Sequence, residues 1–328
     1  MLDFALLVGS LALLLLAARY FVDGISSIAA ALGVPPLVIG MTVVAFGTST
    51  PELVVNALSA AQGTTSLAFG NIAGSCIVNI GFVLGVTALI QPLRVEPSLI
   101  TREIPMMIVG VLAVLIFAND RFLDAAAENV WTRTDALALL LLFGIFLYYT
   151  TRQAISAPKS DAFIAEVREE TQSLTPRDLG KQSVLAILGL IGVSFGANWT
   201  VEYAVNLARL IGLSEAVIGL TVISLGTTLP ELATCVLAAR RGNPDIALGN
   251  VVGSNIFNLL CVGGIVGAIR PVPIPAGGVE DLLVMSFLAI VLLPIAIRSQ
   301  RTITRGEGAF LLVTLIAYLT WRITSSTA

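Results

Sequence analysis

The chain has 328 residues, of which 56% are hydrophobic and only 12% are charged, and its net charge is −3. Soluble domains carry about 25% charged residues, so the composition excludes an ordinary soluble protein and predicts a multi-pass membrane protein. No basic run favours nucleic acid binding, and three cysteines in apolar segments do not suggest a disulfide framework. There is no histidine, so the chain lacks the commonest proton carrier at physiological pH.

Ten apolar segments are long enough to cross a bilayer, whose core of about 30 Å requires roughly 20 helical residues. They cover residues 2–22, 34–60, 65–91, 104–119, 135–151, 183–208, 214–239, 245–269, 281–298 and 308–324. No basic region or cleavage site accompanies the first segment, so we expect it to be retained. A polar stretch divides the chain, which predicts a first half of residues 1–150, a cytoplasmic linker of residues 151–182 and a second half of residues 183–328. A short amphipathic helix is expected within the linker, around residues 163–168.

Lysine and arginine are distributed unevenly between the two sides of the membrane. With ten crossings, 13 of them fall on one side and 5 on the other. Cytoplasmic loops carry the excess of positive charge, so we expect the side with 13 to be cytoplasmic and both termini to lie outside. This predicts a multi-pass protein of the plasma membrane, the inner membrane of the cell.

Two stretches repeat each other at a constant offset of 179 residues. GMTVVAFGTSTPEL begins at Gly40 and GLTVISLGTTLPEL at Gly219, and the blocks GNIAGSCIVN and GNVVGSNIFN follow at Gly70 and Gly249. Residues 40–92 share 22 identities in 53 positions with residues 219–271. Because five spans precede the second half, its helices enter the membrane in the opposite sense. We therefore predict an all-α membrane fold of two inverted-topology repeats of five helices, with broken helices at a central ion site.

Glu52 and Glu231 occupy the same place in the two repeats and are the only acidic residues predicted deep within a span. A charged side chain there is costly and indicates a functional site. No lysine or arginine is predicted at similar depth, so a bound cation or a proton has to neutralise each carboxylate. The alternative, two protonated glutamates that serve only helix packing, is disfavoured because the same group recurs at the same place.

Pro51 and Pro230 each precede one of these glutamates. Proline lacks an N–H and clashes with the carbonyl four residues back, so both helices are predicted to break. Unwinding frees backbone carbonyls, which become oxygen ligands where they line a cavity, and those near Ala45 and Ser224 are our candidates. An ordinary kink would explain a single proline, but two at matched positions favour the break.

Sequence spacing places further oxygen atoms beside the glutamates. Thr48 lies four residues before Glu52 and therefore on the same helix face, and the second repeat has the same spacing. The candidate ligands with hydroxyl and amide groups are Thr48, Ser49, Ser75, Asn79, Thr227, Thr228, Ser254 and Asn258. Oxygen-only coordination suits hard cations such as Ca²⁺, and Na⁺ is also oxygen-seeking. Two carboxylates balance one Ca²⁺ or two Na⁺, whereas a third Na⁺ would leave one net positive charge.

Four glycines form two GxxxG spacings, which usually indicate close packing of helices. These are Gly70, Gly74, Gly249 and Gly253. Such packing would bring the serine and asparagine residues that follow them against the broken helices.

The two repeats, read as G-T-S/T-x-P-E and G-N-x-x-G-S-x-x-x-N, resemble those of the sodium/calcium exchanger family, of the prokaryotic type, within the cation/calcium antiporter superfamily. The resemblance covers essentially the whole chain. It implies exchange of Ca²⁺ for Na⁺ by alternating access, commonly three Na⁺ per Ca²⁺, with Glu52 and Glu231 as central ligands. The eight hydroxyl and amide residues named above match the other ion-binding positions. Thr228 stands where most relatives have serine, and Asn258 where some prokaryotic exchangers and the potassium-dependent branch have aspartate.

The first hypothesis is therefore an electrogenic secondary antiporter that exchanges Ca²⁺ for Na⁺. The alternative is a proton-coupled Ca²⁺/cation antiporter, although that branch typically has a histidine near the repeat glutamates and this chain has none. A cation channel is a third hypothesis. An enzyme is disfavoured because the sequence contains no nucleophile–base pair, HExxH motif or P-loop. We expect no cofactor and no obligate protein partner, with Ca²⁺, Na⁺ and the lipid bilayer as the interacting species.

Overall fold

The computed structural model describes residues 2–156, 176–210 and 224–327. These residues are helical apart from loops and four two-residue strands. The helices are α1 Leu2–Leu32, α2 Pro36–Thr48, α3 Thr50–Gln62, α4 Thr65–Ile90, α5 Leu99–Phe117, α6 Asp120–Leu123, α7 Arg133–Ser156, α8 Pro176–Leu210, α9 Ser224–Gly226, α10 Leu229–Arg240, α11 Pro244–Ile269, α12 Gly278–Arg301 and α13 Arg305–Thr327. The strands are β1 Leu93–Arg94, β2 Val130–Trp131, β3 Val272–Pro273 and β4 Thr302–Ile303.

Eight of these helices are long and apolar enough to cross a membrane, and the pair α2 and α3, bent by 48°, would make a ninth span. The seventh predicted span, residues 214–239, lies partly outside the described ranges, which resume at Ser224. The all-helical membrane architecture is therefore confirmed, and the count of ten stays a prediction.

Several helices are longer than the apolar segments that predicted them. The first span was expected to end at residue 22, but α1 continues to Leu32. Asp23 is accommodated within it because its carboxylate pairs with Arg19 and with Arg241. Likewise α7 ends at Ser156 and α8 begins at Pro176, so both ends of the predicted linker are helical. The short helix expected around residues 163–168 lies outside the described residues.

Two antiparallel strand pairs join loops that are distant in sequence. Leu93 and Arg94 of β1 pair with Ile303 and Thr302 of β4, and β2 pairs with β3 in the same way. The distribution of lysine and arginine assigns β1 and β4 to one side of the membrane and β2 and β3 to the other. Each pair therefore links loops that the sequence places on the same side.

Matched positions of the two halves have nearly the same backbone conformation. Ser49 has φ −94° and ψ 6°, and Thr228, 179 positions later, has φ −95° and ψ 7°. Gly63 and Gly242, at the same offset, both have positive φ, 87° and 79°. The sequence repeat is therefore also a structural repeat in these places.

Helices α4 and α11 form the centre of the molecule. In the most apolar 18 residues of each, 78% and 83% are buried, against 33% in α1. Gly40 of α2 and Gly249 and Gly253 of α11 let the two backbones approach. A Cβ atom on Gly253 would lie 2.6 Å from the carbonyl oxygen of Met41. The close packing expected of this GxxxG spacing is confirmed. A Cβ atom on Gly70 or Gly74 would meet nothing within 4 Å among the described residues.

Candidate functional site

The first predicted helix break lies between α2 and α3. α2 ends at Thr48, Ser49 leaves the helical conformation, and α3 begins at Thr50. Pro51 lies in the first turn of α3, where its missing N–H has no intrahelical partner to lose. Glu52 follows in the same turn and is only 6% exposed, close to the positive end of the helix dipole.

The second break, between α9 and α10, has the same construction. Thr228 takes the place of Ser49, Pro230 lies in the first turn of α10, and Glu231 follows with 1% exposure. Thr227 is partly buried at this break. The Thr228 hydroxyl donates a hydrogen bond of 2.9 Å to the Leu225 carbonyl oxygen.

Ser49 of the first half reaches the carboxylate of the second half. Its hydroxyl donates a hydrogen bond of 3.0 Å to Oε1 of Glu231, and Ser49 lies at the helix break that carries Glu52. The structure therefore brings the first helix break and the carboxylate of the second together between the halves. Oε2 of Glu231 is buried and has no hydrogen-bond partner in the described part of the chain. A buried carboxylate oxygen without a partner is costly, and a cation would satisfy it.

The ion pairs seen among the described residues involve other acids than Glu52 and Glu231. The ion pairs are Arg19 and Arg241 with Asp23, Arg102 with Glu103, and Arg322 with Asp281. Glu103 was predicted to lie just outside the fourth span. It lies within α5 and is a third buried acid, 5% exposed, but its carboxylate has Arg102 at 3.3 Å. Glu52 and Glu231 thus remain the pair whose charge must be balanced by something other than a basic side chain.

Two asparagines present unpartnered carbonyl oxygens at matched positions. Asn79 begins the π-helical segment Asn79–Leu84 of α4, and Asn258 lies in the segment Phe257–Val262 of α11. Oδ1 of each is buried without a hydrogen-bond donor among the described residues. Carbonyl dipoles that face no donor suit a cation, and π-helical turns often occur at functional sites.

Two of the predicted hydroxyl ligands, Ser75 and Ser254, donate to asparagine side chains. Ser75 donates to Oδ1 of Asn71 at 3.2 Å. Ser254 donates to Oδ1 of Asn250 at 3.4 Å, and Thr48 of the other half lies 3.3 Å from the same oxygen. A hydroxyl that has given away its proton keeps oxygen lone pairs for a cation. The single proton of the Thr48 hydroxyl has a nearer acceptor in the Val44 carbonyl oxygen, at 3.1 Å. Asn250 thus lies beside hydroxyls of both halves and accepts from Ser254.

The first predicted carbonyl ligand, that of Ala45, already takes part in hydrogen bonds. The carbonyl oxygen of Ala45 accepts the N–H of Ser49 at 3.0 Å and lies 3.3 Å from the Thr48 hydroxyl. It thus remains part of the last turn of α2 and has one further lone pair at most. Ser224 begins α9, and its carbonyl remains a predicted ligand.

Sequence reasoning did not select five asparagine and threonine residues that hold the candidate ligands. They are Asn56, Asn71, Thr234, Asn250 and Asn255, all buried or partly buried. Asn71 donates to Asn56, and Asn250 donates to Thr234 and to Cys235. The signal that could have identified Asn71 and Asn250 is their identical place in both repeats, inside spans where amides are costly.

Comparisons with known proteins agree with this construction. Residues 2–152 and 181–324 match the family model of the sodium/calcium exchanger protein. CaxA of Alkalimonas amylolytica, provisionally described as an antiporter, is 38% identical over 311 residues, 94% of each chain. The sodium/calcium exchanger MaX1 of Methanosarcina acetivorans is 30% identical over 97% of each chain.

A solved structure of the sodium-calcium exchanger NCX_Mj superposes with a TM-score of 0.82 at 30% identity, covering 97% of this chain and 98% of that one. The family is one of membrane transporters that exchange cations. With matches that extend over almost the whole length, in sequence and in fold, the chain belongs to the sodium/calcium exchanger family.

Proposed function

We propose that this cation/Ca²⁺ antiporter uses Na⁺ as its coupling ion and moves Ca²⁺ and Na⁺ alternately through the site between the two halves. The observation that carries the proposal is the buried pair Glu52 and Glu231, with Ser49 of one half bonded to the carboxylate of the other. Two acids without a basic partner in the described ranges are balanced by one Ca²⁺ or by two Na⁺. Because both ions compete for the same oxygens, the site holds either Ca²⁺ or Na⁺ and carries them in turn.

The proposed ligands combine these carboxylates with neutral oxygens. Ca²⁺ takes six to eight oxygens at about 2.3–2.6 Å, so neutral groups must supply several. We assign this role to the side chains of Thr48, Ser49, Ser75, Asn79, Thr227, Thr228, Ser254 and Asn258, together with the backbone carbonyls of Ala45 and Ser224. The unpartnered carbonyl oxygens of Asn79 and Asn258 support the assignment most directly.

We infer further that the halves are inverted repeats of five helices each. Two residues at equivalent positions, Cys76 and Asn255, contact each other: the Asn255 amide nitrogen lies 3.4 Å from the Cys76 carbonyl oxygen. Equivalent positions meet only next to a two-fold axis, so this contact supports an approximate two-fold relation between α4 and α11. Alternating access would then follow from movement of one group of helices against another around a fixed site.

We propose that the exchange is electrogenic, because a third Na⁺ would add one positive charge beyond the two that balance the carboxylates. If three Na⁺ enter for each Ca²⁺ that leaves, one net charge moves inward, and each charge gains about 2.3 kcal/mol per 100 mV of membrane potential. A negative interior therefore drives Ca²⁺ outward. This direction fits the proposed location in the plasma membrane with a cytoplasmic linker and both termini outside.

The test is flux in vesicles that contain the purified chain, with Na⁺, H⁺ and K⁺ gradients imposed one at a time. We expect an outward Na⁺ gradient alone to drive uptake of radioactive calcium. Glu52→Gln or Glu231→Gln should abolish it, because each substitution leaves the site one negative charge short. Glu128→Gln, at an exposed loop position, is the matched control and should transport normally. Near-normal flux in both site variants would refute the assignment.

Proton coupling is the second candidate, and the buried carboxylates themselves favour it. A carboxylate without a basic partner in the described ranges can be neutralised by a proton as well as by a metal cation, so Glu52 or Glu231 could carry H⁺ in place of Na⁺. Calcium uptake driven by a pH gradient in Na⁺-free buffer would establish this mode. Uptake that follows the calcium gradient without any counter-ion would instead indicate a channel.

A further inference from the structure

Asn255 lies where α4 and α11 cross, and it is not among the predicted ion ligands. Its side chain is 1% exposed and faces three groups, all of which belong to the first half. Nδ2 lies 3.4 Å from the carbonyl oxygen of Cys76 and 3.6 Å from Sδ of Met107. Oδ1 accepts a hydrogen bond of 3.1 Å from Nδ2 of Asn79.

These neighbours leave the Asn255 amide only one orientation. A backbone carbonyl oxygen and a thioether sulfur can accept hydrogen bonds but cannot donate them. The nitrogen of Asn255 must therefore face Cys76 and Met107, and its oxygen must face Asn79. Because that oxygen is an acceptor, Asn79 has to present its own nitrogen to it. The carbonyl oxygen of Asn79 then points the other way, and it is indeed buried with no donor in the described part of the chain.

We propose that Asn255 is a positioning residue, which holds the carbonyl oxygen of Asn79 toward the transported cation. The inference rests on the proposed function, since it takes Asn79 as a ligand. Without Asn255, the Asn79 amide could rotate by half a turn and present its N–H groups to the ion. We call the two hydrogen bonds that join Cys76, Asn255 and Asn79 the relay. It begins at the backbone carbonyl of Cys76 in α4, crosses to Asn255 in α11 and returns to Asn79 in α4. It therefore ties the orientation of one ligand to the crossing of the two central helices.

The second half lacks the same arrangement. Asn258 is the equivalent of Asn79, but the equivalent of Asn255 is Cys76, at the offset of 179 residues. A thiol is a weak donor and a weak acceptor, and the Cys76 thiol lies 3.9 Å from the backbone carbonyl oxygen of Asn255. Asn79 is thus fixed by a partner amide, whereas Asn258 is not fixed in this way. This asymmetry supplies an internal control.

The experiment is a pair of double-mutant cycles, because residues that act as a unit are non-additive. The readout is the Ca²⁺ concentration for half-maximal uptake under an outward Na⁺ gradient, together with the Ca²⁺ dependence of thermal unfolding in detergent. We expect Asn255→Ala to raise the half-maximal concentration about ten-fold, as loss of one ligand orientation would. The double variant Asn255→Ala with Asn79→Ala should have the same half-maximal concentration as Asn79→Ala alone. With Asn258→Ala, the two effects should multiply.

The exchanged variant Cys76→Asn with Asn255→Cys keeps the composition and moves the relay to the other half. We expect Asn258→Ala to cost more affinity than Asn79→Ala in this background, the reverse of the order in the natural chain. A residue that served only packing would not transfer its effect in this way. Thermal unfolding identifies any variant that fails to fold. If Asn255→Ala fails to fold, the comparison of Asn79→Ala with Asn258→Ala in the exchanged variant still tests the positioning role.

The outcomes separate the two proposals. If the natural chain shows Na⁺-driven calcium uptake but the effects of Asn255→Ala and Asn79→Ala multiply, the positioning role is wrong and the antiport proposal stands. If the order of the asparagine variants is the same in both backgrounds, the positioning role is again wrong. If the natural chain gives neither uptake nor stabilisation by Ca²⁺, both proposals fail together.

Discussion

Ser49 donates a hydrogen bond to the carboxylate of Glu231 although 182 positions separate the two residues. The helix break of the first half therefore supplies a polar partner to the acid of the second half. The bond satisfies Oε1 of Glu231, while Oε2 is buried without a donor in the described ranges. An ion bound here would contact oxygens of both halves at once, so that its binding is linked to how the two halves sit against each other.

The first prediction concerns this bond. Ser49→Ala should raise the Ca²⁺ concentration for half-maximal uptake about ten-fold or more, because a hydrogen bond to a charged group is worth about 1.5–3 kcal/mol. The neighbouring Thr50 is exposed and donates to the carbonyl oxygen of Phe46. Thr50→Val is thus the matched control and should change the affinity less than two-fold. Unchanged affinity in Ser49→Ala would contradict the placement of Ser49 in the site.

Some parts of this site could be read from the sequence because their physics is local. A carboxylate inside an apolar span is expensive wherever its helix packs, so Glu52 and Glu231 stand out without any knowledge of the fold. A proline directly before each acid marks the break for an equally local reason. The repeat then doubles both signals at one offset.

Other parts depend on three-dimensional packing and left no such mark. Asn255 acquires its partners only where α4 crosses α11, and because its counterpart is Cys76 the repeat does not point to it. Glu103 was placed outside a span because the apolar run begins after it, whereas α5 begins at Leu99. The apolar run likewise ends before Asp23, so the sequence does not show that α1 continues. Arg241, which pairs with Asp23, belongs to a turn that is distant in sequence.

A second prediction uses ligand binding without transport. A ligand that binds only the folded state stabilises it by about 2.7 kcal/mol at a concentration of 100 times its Kd. Ca²⁺ should therefore raise the unfolding temperature of the natural chain in detergent, and Na⁺ should reduce the effect by competition. Glu52→Gln and Glu231→Gln should lose this shift, while Glu128→Gln should keep it. A shift of natural size in either site variant would place the Ca²⁺ site elsewhere.

Asn250 is the subject of a third prediction. Its orientation is fixed because Thr234 gives its own hydroxyl proton to the carbonyl oxygen of Pro230 at 2.8 Å, and can only accept from the Asn250 amide at 3.1 Å. The Asn250 oxygen therefore faces the hydroxyls of Ser254 and Thr48. Asn250→Leu keeps the approximate volume but removes this acceptor, and should weaken Ca²⁺ binding about ten-fold by releasing the Ser254 hydroxyl proton toward the ion.

A double-mutant cycle checks the route of this effect. If Asn250 acts through Ser254, then Ser254→Ala in the Asn250→Leu background should cost clearly less affinity than in the natural chain. Thr234→Val should reproduce part of the effect, because it removes the acceptor that orients Asn250. Independent, multiplicative effects of Asn250→Leu and Ser254→Ala would show that the asparagine acts by another route.

The last prediction tests the approach of α2 and α11 that holds the first helix break in place. A methyl group on Gly253 would lie 2.6 Å from Cα and from the carbonyl oxygen of Met41, and 2.9 Å from Cβ of Ala45. Backbone atoms cannot move aside as a flexible side chain can, so Gly253→Ala should force the helices apart and destabilise the chain by about 1–3 kcal/mol. Gly9→Ala in α1, where an added Cβ atom would meet no described residue within 4 Å, should instead be neutral or stabilise by roughly 0.5–1 kcal/mol, because alanine favours a helix over glycine. Thermal unfolding of both variants in the same detergent measures the difference. Since Ala45 lies at this contact and Thr48 follows it on α2, Gly253→Ala should also weaken Ca²⁺ binding. Equal stability of the two variants would show that the two helices are not in close contact here.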